Sequence, residues 1–160
     1  MINKSIQAGK FLQFTQVIIV IMIFGCSKNN SSPDSNPGGE TSIVNITNEK
    51  FDEYIGRGIE YHTHMLAKDI KPGQEGWLGN PHPIGWCDVC GLYHKRDECI
   101  EQFKQDFYKR IKSNPEFGKS VFMLKGKRLG CYCKPENCHG DVIKNWIDSQ
   151  NNKENLKPNL

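Results

Sequence analysis

The feature that most constrains this chain is a group of four metal-ligating or nucleophilic side chains within nine residues near its C-terminal end: Cys131, Cys133, Cys138 and His139. The local pattern predicts an apolar strand over Leu129–Cys133, a turn over residues 134–137 and a helix that starts near Cys138. In open α/β sheets, ligands bind where strands end and helices begin. We therefore expect the functional site to lie at this strand, turn and helix.

Composition allows one ordinary globular domain. The chain has 160 residues, of which 37% are hydrophobic and 24% charged, so it can bury a modest core and leave some residues in tails. A formal net charge of +3 is too small to indicate nucleic-acid binding, which needs clustered lysines and arginines. We predict the α/β class: a small single domain with a short mixed or parallel sheet flanked by helices.

Residues 1–26 are typical of a signal peptide. Lys4 and Lys10 precede an apolar run, Val17–Phe24, that is much shorter than the roughly 20 residues of a membrane-spanning helix. Residues 23–26 resemble a lipoprotein cleavage box, in which Cys26 is acylated and anchors the protein to a membrane. The alternatives are a short buried helix or a leader that is not used, in which case the protein is cytoplasmic.

Two polar stretches frame the predicted domain. Residues 27–42 are rich in Ser, Asn, Pro and Gly and predict a flexible linker, while residues 149–160 predict a disordered tail. The folded domain is therefore expected over residues 43–148.

Several elements can be predicted inside the domain. Ile43–Ile46 and Glu53–Arg57 predict short strands. Asp97–Lys112 predicts a helix, because its apolar residues recur at helical spacing and its charges run from acidic to basic. Val121–Leu124 is apolar, and its type, strand or short helix, stays open.

A second cysteine pair, Cys87 and Cys90, forms a CxxC sequence followed by His94 and Cys99. The short loop allows two thiolates to chelate one tetrahedral ion, which favours a zinc half-site. The alternatives are a disulfide, if the protein is exported, and two free thiols. Cys99 lies next to the apolar stripe of the predicted helix, so we expect it to belong to the core rather than to a metal site.

The four residues of the C-terminal motif allow three interpretations. Cys131 and Cys133 point to the same face of an extended strand, with Cα atoms roughly 6.6 Å apart. At this distance they should not form a disulfide, but they can share a metal ion with Cys138 and His139. A catalytic interpretation makes Cys138 a nucleophile activated at a helix N-terminus and His139 its base. The third interpretation is that the cysteines simply fill the core.

Residues 124–141, LKGKRLGCYCKPENCHGD, resemble the signature of a bacterial and phage family known as domain of unknown function 4326, L-x-G-K-x-L-x-C-x-C-x-P-x-x-C-H-G-D. Two further family-like pieces occur in the expected order: Tyr54–Arg57, and Gly79–Pro81 followed by Arg96 ahead of a helix. The resemblance covers residues 43–148, with the Cys87 and Cys90 segment as an insertion. It implies a fold and the place of a site, and no activity.

These observations predict a domain that binds, and perhaps turns over, a small anionic ligand such as a nucleotide. Arg57, flanked by glycines, and Lys134 supply positive charge, and Asn80 and Arg96 are the other expected ligand-binding residues. The alternative is that Arg57 lies at a turn and has no role in ligand binding. The rival function is a zinc-stabilised interaction module that uses the C-terminal motif, with a second half-site at Cys87 and Cys90.

Overall fold

The computed structural model describes residues 39–59 and 62–155. The predicted leader, Cys26 and most of the predicted linker lie outside these ranges. The described residues form, in chain order, β1 (Ser42–Asn45), β2 (Glu53–Tyr54), β3 (Gly85–Cys87), β4 (Leu92–His94), α1 (Arg96–Ser113), α2 (Pro115–Phe122), β5 (Arg128–Cys131) and α3 (His139–Asn155). Among them, no helix is long and apolar enough to cross a membrane.

Strand β5 is the centre of a three-stranded parallel sheet with the order β1-β5-β2. Asn45 of β1 pairs with Cys131, and Tyr54 of β2 pairs with Gly130. The carboxyl ends of all three strands therefore meet at one edge, directly before the cysteine motif. Strands β3 and β4 form a separate antiparallel hairpin. This architecture confirms the predicted small α/β domain.

The three helices share one apolar core with the sheet. They pack against one another, and α3 also packs on β1. Because burying one large apolar side chain stabilises a fold by about 1.5–3 kcal/mol, this core accounts for much of the hydrophobic stabilisation. Its largest buried members are Ile55, Met65, Leu78, Phe103, Phe107, Phe117, Leu129, Ile143 and Ile147.

Helix α2 accounts for part of the apolar run whose type stayed open, since it contains Val121 and Phe122. Asn114 ends α1 and also caps α2, because its side-chain oxygen accepts a hydrogen bond from the N–H of Phe117 at 3.0 Å. Pro115 occupies the first turn of α2, where a missing N–H costs nothing. The same Asn-Pro pair that ends one helix therefore starts the next.

Three observed boundaries differ from those predicted. Strand β2 ends at Tyr54 instead of Arg57, and the side chain of Arg57 binds the carbonyl of Asn80 outside the sheet. Thr41, expected in the linker, is 1% exposed and accepts a hydrogen bond from the N–H of Gly126 at 3.0 Å. Helix α3 continues to Asn155, so residues 149–155, expected in the disordered tail, are helical.

Candidate metal centres and adjoining cavity

The C-terminal motif forms a group of four donor side chains, here called the C-terminal cluster: Cys131, Cys133, Cys138 and His139. Their ligand atoms all lie within 4.8 Å of one another. The sulfurs of Cys131 and Cys133 are 3.5 Å apart, and Nδ1 of His139 lies 4.0 Å from the Cys131 sulfur. In a tetrahedral zinc site with bonds of about 2.0–2.3 Å, neighbouring donors are roughly 3.5–3.8 Å apart. The cluster could therefore hold a metal ion such as zinc.

The loop between β5 and α3 is fixed at both ends. The side chain of Asn45 donates a hydrogen bond to the carbonyl of Lys134. At the start of α3, the N–H of Cys138 donates to the carboxylate of Asp141 at 3.2 Å, and Nζ of Lys134 binds the same carboxylate at 2.8 Å. Lys134, expected to hold a ligand, is thus placed on Asp141, where it ties the loop to the helix.

His139 is oriented by the sheet. It is 5% exposed, and its Nε2 lies 2.8 Å from the carbonyl oxygen of Ile55. A carbonyl only accepts hydrogen bonds, so Nε2 carries the proton and Nδ1 faces the thiols. The ring edge of Phe103, with centroids 4.9 Å apart, holds the imidazole from another side. A metal-binding histidine is commonly oriented in this way through its second nitrogen.

The side chains of the C-terminal cluster differ in acidity. Hydrogen bonds from Cys133 and Cys138 lower the pKa of Cys131 far below that of a free thiol, and the Cys131 sulfur in turn raises the pKa of Cys138. Burial lowers the pKa of His139, but hydrogen bonds to Cys131 and Cys133 outweigh burial and raise it to about 9. The cluster therefore concentrates negative charge that a cation can neutralise, with release of the remaining protons.

A second group of four donors, the hairpin cluster, surrounds β3 and β4: His82, Cys87, Cys90 and His94. Its ligand atoms also lie within 4.8 Å of one another. Nδ1 of His82 is 3.3 Å from the Cys87 sulfur, and Nε2 of His94 is 3.0 Å from the Cys90 sulfur. The predicted half-site at Cys87 and Cys90 is thus joined by two histidines.

Sequence reasoning missed His82, although a signal was present. His82 lies five positions before Cys87, and His94 lies four positions after Cys90, so histidines flank the CxxC on both sides. Cys99, by contrast, belongs to neither cluster. It is 5% exposed, and its thiol donates to the carbonyl of Arg96 at 2.9 Å.

A cavity of about 360 Å³ opens at the carboxyl edge of the sheet, beside both clusters. Three of the four predicted ligand-binding residues, Arg57, Asn80 and Arg96, line it. Nε of Arg57 donates to the carbonyl of Asn80 at 2.5 Å, which fixes the arginine to the Gly79–Pro81 loop. Other lining residues include two tyrosines and members of both clusters: Tyr54, Tyr132, His82, Cys131, Cys133 and His139.

Cys138 does not line this cavity. It is 1% exposed and lies against a separate cavity of about 350 Å³ that Asp97 and Asp141 also line. A nucleophilic role would need a lowered pKa, as expected at a helix N-terminus, whereas contact with the Cys131 sulfur raises the pKa of Cys138. The geometry therefore favours metal binding over covalent catalysis for this thiol.

Comparisons with known proteins agree with the resemblance of the motif. An uncharacterised 12.4 kDa protein in the nrdA-td intergenic region of Enterobacteria phage T4 is 47% identical to this chain over 53 residues. The match covers 33% of this chain and 49% of the phage protein, so the chain spans about half the length of that relative. No solved structure matches. The model of the family described as Domain of unknown function (DUF4326) matches residues 44–149, and the chain belongs to that family.

Proposed function

We propose that the cavity binds a small anionic ligand of the nucleotide class. The observation that carries this proposal is the convergence of Arg57 and Arg96, from distant parts of the chain, on one cavity whose lining contains no carboxylate among the described residues. Two guanidinium groups without a carboxylate partner in the lining favour a phosphate or carboxylate ligand, which they can bind through paired hydrogen bonds.

The remaining lining suits the base of a nucleotide. Tyr54 and Tyr132 lie edge to face with ring centroids 6.4 Å apart, and Ile84 and Ile100 add apolar surface. Aromatic faces stack on nucleobases, and a cavity of about 360 Å³ falls within the range of roughly 300–1,000 Å³ that small-molecule sites occupy. These features support a ligand with an aromatic part and an anionic part.

The C-terminal cluster has a structural role in this proposal. Cys131, Cys133 and His139 belong to the cluster and also line the cavity. With four protein ligands a zinc ion has no open position for substrate, which is typical of structural rather than catalytic zinc. Zinc here would fix the loop that carries Tyr132.

Calorimetric titration of the full chain with AMP, adenosine and inorganic phosphate tests the proposal. We expect AMP to bind more tightly than adenosine or inorganic phosphate alone. Arg96→Ala should weaken AMP binding about tenfold or more, because a hydrogen bond to a charged group contributes about 1.5–3 kcal/mol. Arg96 is the better target, since its bond to the carbonyl of Asn137 is long, at 3.5 Å, whereas Arg57 holds the carbonyl of Asn80 at 2.5 Å.

Lys109→Ala provides the matched control, because it removes one positive charge from an exposed position of the same helix, away from the cavity. It should leave AMP affinity unchanged. The proposal fails if neither AMP nor phosphate binds, or if Arg96→Ala and Lys109→Ala have the same effect.

The second candidate function is a zinc-stabilised interaction module. It is favoured by the presence of two four-donor clusters in so small a domain, one of them on a hairpin that exposes Trp86, Leu92 and Tyr93. This candidate gains support if the domain requires zinc to fold while the titration finds no bound ligand.

A further inference from the structure

The β3–β4 hairpin has almost no apolar interior of its own. Trp86, Leu92 and Tyr93 are 55%, 56% and 76% exposed, whereas Cys87 and His94 are 0% and 5% exposed. An isolated two-stranded hairpin is at best marginally stable in water. The side chains that this hairpin buries are thus potential metal ligands, and a bound ion would replace the missing core.

The turn of the hairpin has the geometry of a metal-binding knuckle. The N–H of Gly91 donates to the carbonyl of Cys87 at 2.8 Å, and Gly91 has a φ of 69°, which glycine adopts without strain. This turn brings the Cys90 sulfur back toward the strand ends, 3.0 Å from Nε2 of His94. Two cysteines separated by two residues are the usual half of a structural zinc site.

His82 completes the set from outside the hairpin, and helix α1 orients it. Its Nδ1 faces the Cys87 sulfur, while its Nε2 lies 2.8 Å from a carboxylate oxygen of Asp106. Since a carboxylate accepts the proton on Nε2, Nδ1 is left free to bind a cation. A carboxylate behind a histidine ligand is a common outer partner in zinc sites, where it fixes the ring and increases its basicity.

We infer that His82, Cys87, Cys90 and His94 bind a second structural Zn²⁺ ion, with Asp106 as a positioning residue for His82. The nitrogen and sulfur donors in this spacing favour zinc over oxygen-preferring ions. Because His82, Pro83 and Ile84 line the cavity, this ion would also fix part of its wall. The inference does not require that the cavity binds a nucleotide.

Zinc content of the purified full chain, measured by elemental analysis, provides the first test. We expect two zinc ions per chain in the unaltered protein and one in Cys90→Ser, which changes the exposed ligand of the hairpin cluster. Cys99→Ser is the matched control, because Cys99 is a buried cysteine outside both clusters, and it should retain two. Equal zinc content in Cys90→Ser and in the unaltered protein would overturn the inference.

A second test keeps all four ligands in place. Asp106→Asn should weaken zinc binding at the hairpin cluster about tenfold or more in competition with a chelator, while the zinc of the C-terminal cluster is retained at its original affinity. Replacement of zinc by Co²⁺ should give thiolate-to-cobalt absorption from both clusters. In Cys90→Ser, the absorption that the hairpin cluster contributes should be lost.

Two results of these measurements count against the second site. If Asp106→Asn binds both ions as tightly as the unaltered protein, Asp106 has no positioning role. A mass that shows Cys87 and Cys90 joined as a disulfide in the non-reduced protein refutes the zinc site. Neither result bears on the AMP titration, so failure of this site and failure of the cavity proposal are distinguishable.

Discussion

At the scale of single residues, His139 connects the C-terminal cluster to the sheet. One nitrogen faces the thiols and the other contacts the carbonyl of Ile55, just beyond β2. The cluster is therefore joined by one hydrogen bond to the backbone two residues before Arg57. This connection gives a physical reason for the neighbouring positions of the cluster and the cavity.

Replacement of Cys138 tests whether the C-terminal cluster is structural. Cys138→Ser should remove zinc from this cluster and lower the free energy of unfolding by more than about 4 kcal/mol, because structural zinc sites contribute directly to folding. Zinc content and urea unfolding of the same sample measure both effects.

The control is again Cys99→Ser. A serine hydroxyl can donate to the carbonyl of Arg96 as the thiol does, so we expect a loss of about 1 kcal/mol and no loss of zinc. A Cys138→Ser protein that keeps its zinc and its stability would show that this thiol is only a packing residue.

How far the sequence predicts a site depends on how local its ligands are. Cys131, Cys133, Cys138 and His139 are within nine residues, so the short loop between β5 and α3 is enough to bring them together. The position of His82 before the CxxC was a local signal, but its orientation by Asp106, from a helix that starts fourteen positions later, had none. Tertiary contacts of this kind leave no periodic signal in the sequence.

At the scale of elements, a partly buried ion pair joins the start of β5 to the segment before β2. The carboxylate of Asp52 accepts hydrogen bonds from the backbone N–H of Arg128 at 2.8 Å and from its guanidinium at 2.9 Å. The side-chain bond, followed by the backbone bond, lowers the pKa of Asp52. Because the folded-state pKa is lowered, the stabilisation is present above the unfolded pKa of about 3.9 and is lost as the pH falls through the folded value.

Replacement of Asp52 tests this pH dependence. Asp52→Asn should lower the free energy of unfolding by roughly 1.5–3 kcal/mol near neutral pH. The difference between the variant and the unaltered protein should shrink as the pH falls below about 4, because the native carboxylate is then protonated. Urea unfolding across this range measures the difference, and metal release at low pH affects both proteins alike.

Glu116→Gln provides the comparison on the surface. Its carboxylate pairs with Lys119, with both side chains more than 70% exposed, so solvent screens the pair and we expect no measurable change in the free energy of unfolding. A constant difference between Asp52→Asn and the unaltered protein at every pH would show that the ion pair is not the source.

Some elements were also predictable and others were not. The apolar spacing of Ile100, Phe103 and Phe107 predicts α1 almost to its ends. Helix α2 has only eight residues, too few for a periodic pattern to distinguish it from a strand. The end of β2 could not be predicted, because Arg57 binds the carbonyl of Asn80, a tertiary contact that leaves no pattern in the sequence.

At the scale of the whole molecule, the two clusters lie at the same cavity, and the stability of the domain should depend on metal. Incubation of the full chain with a strong zinc chelator should lower the melting temperature by at least about 15 °C or abolish the cooperative transition. Differential scanning calorimetry measures this change.

Addition of Zn²⁺ after removal of the chelator should restore the transition, whereas Ca²⁺ should not, because calcium prefers oxygen ligands. An unchanged melting temperature in protein shown to be free of zinc would mean that the clusters pack without an ion. In that case the cavity proposal would stand on the arginines and tyrosines alone.

The strand order also determines which part of the chain must be synthesised before the sheet can form. Within the described part of the chain, β1 and β2 pair only with β5, which lies close to the C-terminal end of the domain. A nascent chain that has not yet emerged from the ribosome past Cys131 therefore lacks the central strand, and its two outer strands have no partner. Such non-local pairing makes folding slow and leaves the strand edges and thiols exposed to solvent until β5 has emerged.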